Sequence, residues 1–330
     1  MGVEIEQVLV ECQAAVAPAL RQAVDTLPPA MRRIACYHFG WTDEHGDPAL
    51  TPGGKMVRPV LTLLSARAVG GRLADAVPAA VAVELVHNFS LLHDDIMDGD
   101  RTRRHRPSAW AVFGVPAALL AGDALWALAL RVLADRPDGV RLLTAALWDL
   151  VDGQAADTDF PNRSGVTVAE CEAMAAGKTG AVMACACALG ALTGGGTPHQ
   201  VDRMHHMGRQ LGLAFQLTDD LLGIWGDPRS TGKPGTDLVN RRKSLPVVAA
   251  LNSGTGAGTE LARLYGRPLA GDEIDRAAEL VEIAGGRSWA RERVAHHLRT
   301  ARESLGAADP DPEVAAHLTS LAGHLAHREH

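Results

Sequence analysis

The stretch Val81–Arg106, VAVELVHNFSLLHDDIMDGDRTRRHR, joins an apolar helical run, Val81 to Leu92, to a dense cluster of charge. Asp94, Asp95 and Asp98 fall together there, with Asp100 just beyond, directly before Arg101, Arg103, Arg104 and Arg106. On a helix Asp94 and Asp98 stand one turn apart and project from one face. Carboxylates crowded at the open end of an apolar helix repel one another unless a cation lies between them. Hard oxygen donors of this kind suit Mg²⁺, which keeps several waters and recruits substrate phosphates. The arginines that follow can grip the same phosphates through paired donors. A solvated, salt-bridged helix end is the competing reading of the stretch taken alone.

A second acidic pair, much later in the chain, weighs against that reading. Asp219 and Asp220 sit in Phe215-Gln216-Leu217-Thr218-Asp219-Asp220-Leu221-Leu222-Gly223. Adjacent acids among apolar residues are costly to bury unless they bind metal or find partners. A loop punctuated by glycine and proline, Pro228 to Lys243, then carries Lys233, Asp237, Arg241, Arg242 and Lys243. Two acidic clusters, each followed by a basic loop, suit several magnesium ions bridging one diphosphate between two facing helices.

Lysine usage points the same way. Only four of the 32 basic residues are lysines, and three of these, Lys55, Lys178 and Lys233, directly follow a glycine. Glycine lets backbone approach a ligand closely, and an ammonium is a compact charge for phosphate. In Gly53-Gly54-Lys55-Met56-Val57-Arg58-Pro59, Lys55 and Arg58 are three apart on the opening turn of a helix, beside its free N–H groups. Gly153-Gln154-Ala155-Ala156-Asp157 sets an amide and a carboxylate on one helical face. Gly177-Lys178-Thr179-Gly180 interrupts a helical pattern with two glycines, which predicts either a kink opening toward a cavity or close helix packing.

Elsewhere alanine and leucine recur at three- and four-residue spacing, and beta signals are scarce. The pattern predicts about a dozen helices, including 57–69, 74–98, 109–133, 139–157, 168–192 and 198–223. No linker or internal repeat divides the 330 residues, so one all-α domain over 1–330 is expected. A composition of 22% charged and 47% hydrophobic residues is that of a folded soluble chain. The net charge of -7 leaves no basic excess for a nucleic-acid backbone. No signal peptide is expected from Met1 to Pro18, and no uncharged run reaches a membrane span, the best being Ala181 to Leu192. Five cysteines without framework spacing read as thiols in a reducing cytoplasm.

These motifs, in this order from about Gly53 to Pro246, resemble the trans-isoprenyl diphosphate synthases, the family of farnesyl and geranylgeranyl diphosphate synthases. Asp94-Asp95-Ile96-Met97-Asp98 with Arg103-Arg104 is similar to that family's first aspartate-rich motif, and Asp219-Asp220 after Phe215-Gln216 to its second. The resemblance implies an all-α bundle around a central apolar cavity, a homodimer, and Mg²⁺ on an allylic diphosphate. Asp94, Asp98 and Asp219 are implied metal ligands, with Asp95 and Asp220 supporting them. Arg103, Lys178 and Lys233 are implied to hold the allylic diphosphate, and Lys55, Arg58, His87 and Arg104 isopentenyl diphosphate. The Arg242/Lys243 region matches a further phosphate contact, and Thr179 and Gln216 are placed near the developing carbocation.

In the family, bulky residues four and five positions before the first aspartate limit chain growth. Here these are Ser90 and Phe89, which implies a C20 product, with C15 the alternative. Two departures stand out. Gly223 replaces a frequent third aspartate of the second motif, and His324 to His330 lacks a strongly basic tail. A class I terpene cyclase on the same scaffold and a non-catalytic regulatory subunit are the rival readings. The intact second-substrate set opposes the first, and the complete first acidic motif opposes the second.

Overall fold

A computed structural model describes residues 3–49, 54, 56–163, 165–226, 236–269 and 271–326. It is 79% helical, the expected all-α class. The chain gathers into two compact units that alternate along the sequence. One comprises Met1–Ala146, Cys185–His205 and Leu305–Leu318, the other Leu147–Ala184, His206–Ser304 and Thr319–His330.

In the first unit α1 (Val3–Asp25), α2 (Pro29–His38), α3 (Val57–Ala68), α4 (Leu73–Met97), α5 (Ala109–Phe113) and α6 (Val115–Val132) supply the frame. Helix α4 packs most extensively on α6 and α3, burying Val83, Leu85 and Leu92 beside Leu61, Leu64 and Leu125. Asp75 in its first turn complements the helix dipole. Its last turn closes at Asp98, and Gly99 then takes a left-handed φ of 69°, which turns the chain away from helix. A two-stranded hairpin follows, Thr102–Arg103 against Arg106–Pro107. Its two turn residues, Arg104 and His105, both have positive φ, 52° and 62°. That is the backbone a tight hairpin needs, but glycine or asparagine is its usual occupant. Paying this strain with an arginine points to a task for the side chain. The expected helix 109–133 is two helices, because Gly114 takes φ 85° and Pro116 opens the second.

In the second unit lie most of α7 (Pro137–Asp159) and α10 (Pro198–Trp225), with α8 (Val168–Ala175) and α11 (Thr236–Val239). Helices α12 (Leu245–Leu251), α13 (Gly256–Tyr265) and α14 (Asp272–Ile283) complete a core of Ile224, Leu238, Val247, Leu261, Leu280 and Val281. Thr167 and Glu170 form a capping box that starts α8. The expected helix 168–192 is interrupted by a π-helical turn at Ala176–Gly180 before α9 (Ala181–Thr193). The close-packing reading of the two glycines holds: Gly177 and Gly180 lie against Gly153 and Gly212, and a Cβ at Gly153, Gly177 or Gly212 would collide with backbone. The helical ladder is also broken there by the π-helical turn.

Judged by length and composition, three helical stretches among the described residues are long and apolar enough to cross a membrane: Leu73–Met97, Val115–Val132 and Val168–Thr193. This corrects the expectation from uncharged runs, since a helix keeps a high mean hydropathy while carrying one or two charges. The first and third bury 61% and 83% of their apolar windows inside the protein, against 33% for Val115–Val132. The first and third are therefore core helices in this fold.

Candidate active site

The first unit brings one basic patch together. Arg58, on the first turn of α3, donates from Nη1 to His87 Nε2 at 3.1 Å. His87 is therefore neutral and carries its proton on Nδ1. Burial, then the charges of Arg58 and Arg104, hold its pKa well below the ordinary histidine value. Arg104 lies against Gly54, where a Cβ would come within 2.7 Å of its guanidinium. Behind them Glu84 is buried on α4, bonded to Asn88 Nδ2 at 2.9 Å. Burial raises its pKa while Arg58 and Arg104 lower it. Gly54 and Arg104 thus adjoin, as do Arg58 and His87, while Lys55 and Lys233 lie outside the described residues.

At the end of α4 the three aspartates divide by face. Asp94 is half-buried and Asp98 exposed, one turn apart. Asp95 is fully buried, and its Oδ1 accepts from Arg103 Nε at 2.9 Å and Nη2 at 2.6 Å. Burial raises the Asp95 pKa and Arg103 opposes the rise. Asp95 thus acts on the site through Arg103: it fixes the guanidinium, which the left-handed turn at Arg104 then presents beside the patch. One turn earlier, Phe89 stands edge-on to His93, with ring centroids 4.8 Å apart. Ser90 donates to the His87 carbonyl at 2.8 Å.

The second unit holds a linked polar chain. The Thr179 hydroxyl, on the π-helical turn, donates to Gln216 Oε1 at 2.6 Å. Gln216 Nε2 donates to Asp220 Oδ1 at 2.7 Å, and the Leu245 N–H to Asp220 Oδ2 at 2.9 Å. Asp220 is buried, and Asp219 beside it is half-buried. Burial, with the charges of Asp237 and Asp219, pushes the Asp220 carboxyl well above the usual carboxylate range, against the lowering by Leu245 N–H and Gln216. Lys178 donates to Asp157 Oδ2 at 2.6 Å. Lys243 donates to the Arg163 carbonyl, and burial, then Arg163, lowers its pKa.

Two carboxylates matter that the site reading did not include. Asp157 was legible in the Gln154–Asp157 spacing, and it orients Lys178. Asp237 was not, because the signal is a tertiary contact between two helices. Its Oδ2 fills the space beside Gly223, 2.6 Å from where a Cβ would stand. Gly223 lies one turn beyond Asp219, so a carboxylate from α11 occupies the volume that a side chain at 223 would claim. Burial raises the Asp237 pKa, Arg242 lowers it and Asp157 raises it further.

Among the described residues, no three histidines, cysteines or acids are already gathered around a metal position. The chemistry within each unit nonetheless suits a hard cation: Asp94 and Asp98 in the first, and Asp219 in the second, offer carboxylate oxygens and none is fully buried.

The polyprenyl synthetase profile matches residues 40–283. A (2E,6E)-farnesyl diphosphate synthase of Mycobacterium bovis is 43% identical over 325 residues, 95% of this chain and 90% of that protein. A geranylgeranyl diphosphate synthase of Mycobacterium tuberculosis is 44% identical over 308 residues, 91% of this chain and 88% of that protein. The crystal structure of a polyprenyl synthetase from Streptomyces coelicolor superimposes with a TM-score of 0.93 at 45% identity, covering 97% of this chain and 99% of that one.

Proposed function

The chain belongs to the polyprenyl synthetase family and is a prenyltransferase that elongates short prenyl chains; from that premise we propose that it condenses isopentenyl diphosphate with an allylic diphosphate to give C20 geranylgeranyl diphosphate. The observation that carries the two-substrate reading is the Gly54–Arg58–His87–Arg104 patch. A cyclase ionises one diphosphate and has no use for a second cationic cradle.

Magnesium held by Asp94, Asp98 and Asp219 would neutralise the charge that develops on the departing diphosphate. The chain's own residues supply the rest. Arg103, fixed by Asp95, and Lys178, oriented by Asp157, hold the allylic diphosphate and stabilise it as its C–O bond breaks. Arg58, His87 and Arg104 hold isopentenyl diphosphate, whose double bond attacks the allylic carbon. The Thr179 hydroxyl donates its hydrogen bond to Gln216 Oε1, so its lone pairs remain to face positive charge. A proton then leaves the new C–C adduct for the released diphosphate. Apolar walls keep water from quenching the cation.

Relatives named for C15 and for C20 products are equally similar, so length rests on Phe89 and Ser90. One aromatic beside one small residue resembles the pair in relatives that stop at C20. With Mg²⁺, isopentenyl diphosphate and farnesyl diphosphate, the expected product is C20. Phe89→Ala is expected to lengthen it by at least one C5 unit, read by chromatography of the dephosphorylated alcohols. An unchanged length in that variant removes Phe89 as the floor.

A homodimer is the assembly we propose. On α6, Val115, Leu119 and Trp126 share one helical face with Leu120 alongside, and all four are exposed. Light scattering should give twice the 34.8 kDa chain mass, and Leu120→Glu should shift it toward the monomer.

A further inference from the structure

Helix α6 carries a glycine, Gly122, that its backbone does not need. It is buried mid-helix with no left-handed turn to make, where glycine is less favourable than alanine. What needs it is a side chain from α4. A Cβ at 122 would stand 2.5 Å from His93 Cδ2 and closer still to Nε2. The imidazole is thus recessed into α6. Its Nε2–H donates to the Leu119 carbonyl at 3.1 Å, and Asp123 Oδ1 lies 3.8 Å from the same nitrogen. Leu119, Gly122 and Asp123 fall on one face of α6 and form a three-point seat.

The ring seated there is the one that backs Phe89. Phe89 and His93 are one turn apart on α4 and meet edge to face, at 70° between planes. We propose that His93 is the positioning residue for Phe89, and that the residue at 122, by setting how deeply His93 sits, is a determinant of product length. The inference rests on Phe89 being the floor of the elongation cavity.

The two variants are expected to act in opposite directions. Gly122→Ala lifts the imidazole off α6 and pushes Phe89 ahead of it, so the floor rises and the product shifts one C5 unit shorter. His93→Ala removes the backing, so Phe89 retracts and the product shifts one C5 unit longer. In His93→Ala/Gly122→Ala the new methyl has no ring to push, and the product matches that of His93→Ala. Should His93→Ala not fold, His93→Asn carries the test, since it keeps a donor for the Leu119 carbonyl and lacks the ring. A purely structural role for the seat would change melting temperature without moving product length in two directions. If Gly122→Ala and the His93 variants keep the parent product while Phe89→Ala lengthens it, the seat is overturned and the floor survives. If Phe89→Ala also keeps the parent product, both fall.

Discussion

Asp94→Asn and Asp219→Asn should each lower kcat/KM by about 10³-fold, the scale seen when a group that stabilises transition-state charge is removed. The substitution keeps volume and hydrogen bonding while deleting one negative charge, so the loss reports charge rather than packing. Asp94 is half-buried at the open end of α4 and Asp219 half-buried on α10, so neither anchors a core. Melting temperatures without metal should stay close to that of the parent. The rise in melting temperature produced by Mg²⁺ with inorganic diphosphate should shrink in both variants. Asp95→Asn should behave differently, because its carboxylate meets Arg103 and is buried. If Asp94→Asn or Asp219→Asn retains parental activity and the full metal-dependent stabilisation, the assignment of that carboxylate is wrong.

How much of this was legible beforehand depends on the range of the signal. Helix positions follow from local periodicity, and α4 and α10 lie within a residue or two of where spacing puts them. The Arg58–His87–Arg104 grouping was legible only through the family resemblance, because nothing local in the sequence joins these three positions. The hydrogen bond between Arg58 and His87 joins two helices, and only the fold supplies it. The breaks were harder. Periodicity continues smoothly through Gly114 and through Ala176–Gly180, and neither a positive φ nor a π-helical turn leaves a mark beyond the glycine itself. The division of labour between Asp94 and Asp95 came only through the family resemblance, not from the residues themselves. Adjacent residues on a helix face different ways, but which way is core depends on what α4 packs against. The fit of Asp237 beside Gly223 is non-local altogether. The absent third aspartate, read from sequence as a loss of charge, is room for a carboxylate from another helix.

Acid should unfold this protein by way of its buried histidines, and His38 should contribute more than His297. His38 is buried at the end of α2, and burial, then the charges of Arg104 and Arg103, lowers its pKa from 6.5 to about 3. The unfolded chain therefore binds this proton below pH 6.5, while the folded chain refuses it down to about pH 3. With more protons on the unfolded state, stability rises with pH across that window and is lost as pH falls through it. The loss from His38 alone amounts to about 2 kcal/mol by pH 5 and on the order of 5 kcal/mol at the acid limit. His297, lowered to about 4 by burial and Arg293, adds in the same sense. So does His87, whose Nε2 must stay unprotonated to accept from Arg58. The raised acids Glu84 and Asp95 slope the other way, because they keep protons on the folded state. Comparing His38→Asn with the parent cancels those shared contributions. Urea unfolding at pH 7, 6 and 5 should show the parent losing about 2 kcal/mol more than the variant between the ends of that range. Parallel slopes would mean that His38 takes up its proton in the folded chain, with the guanidinium groups of Arg103 and Arg104 turned away from it.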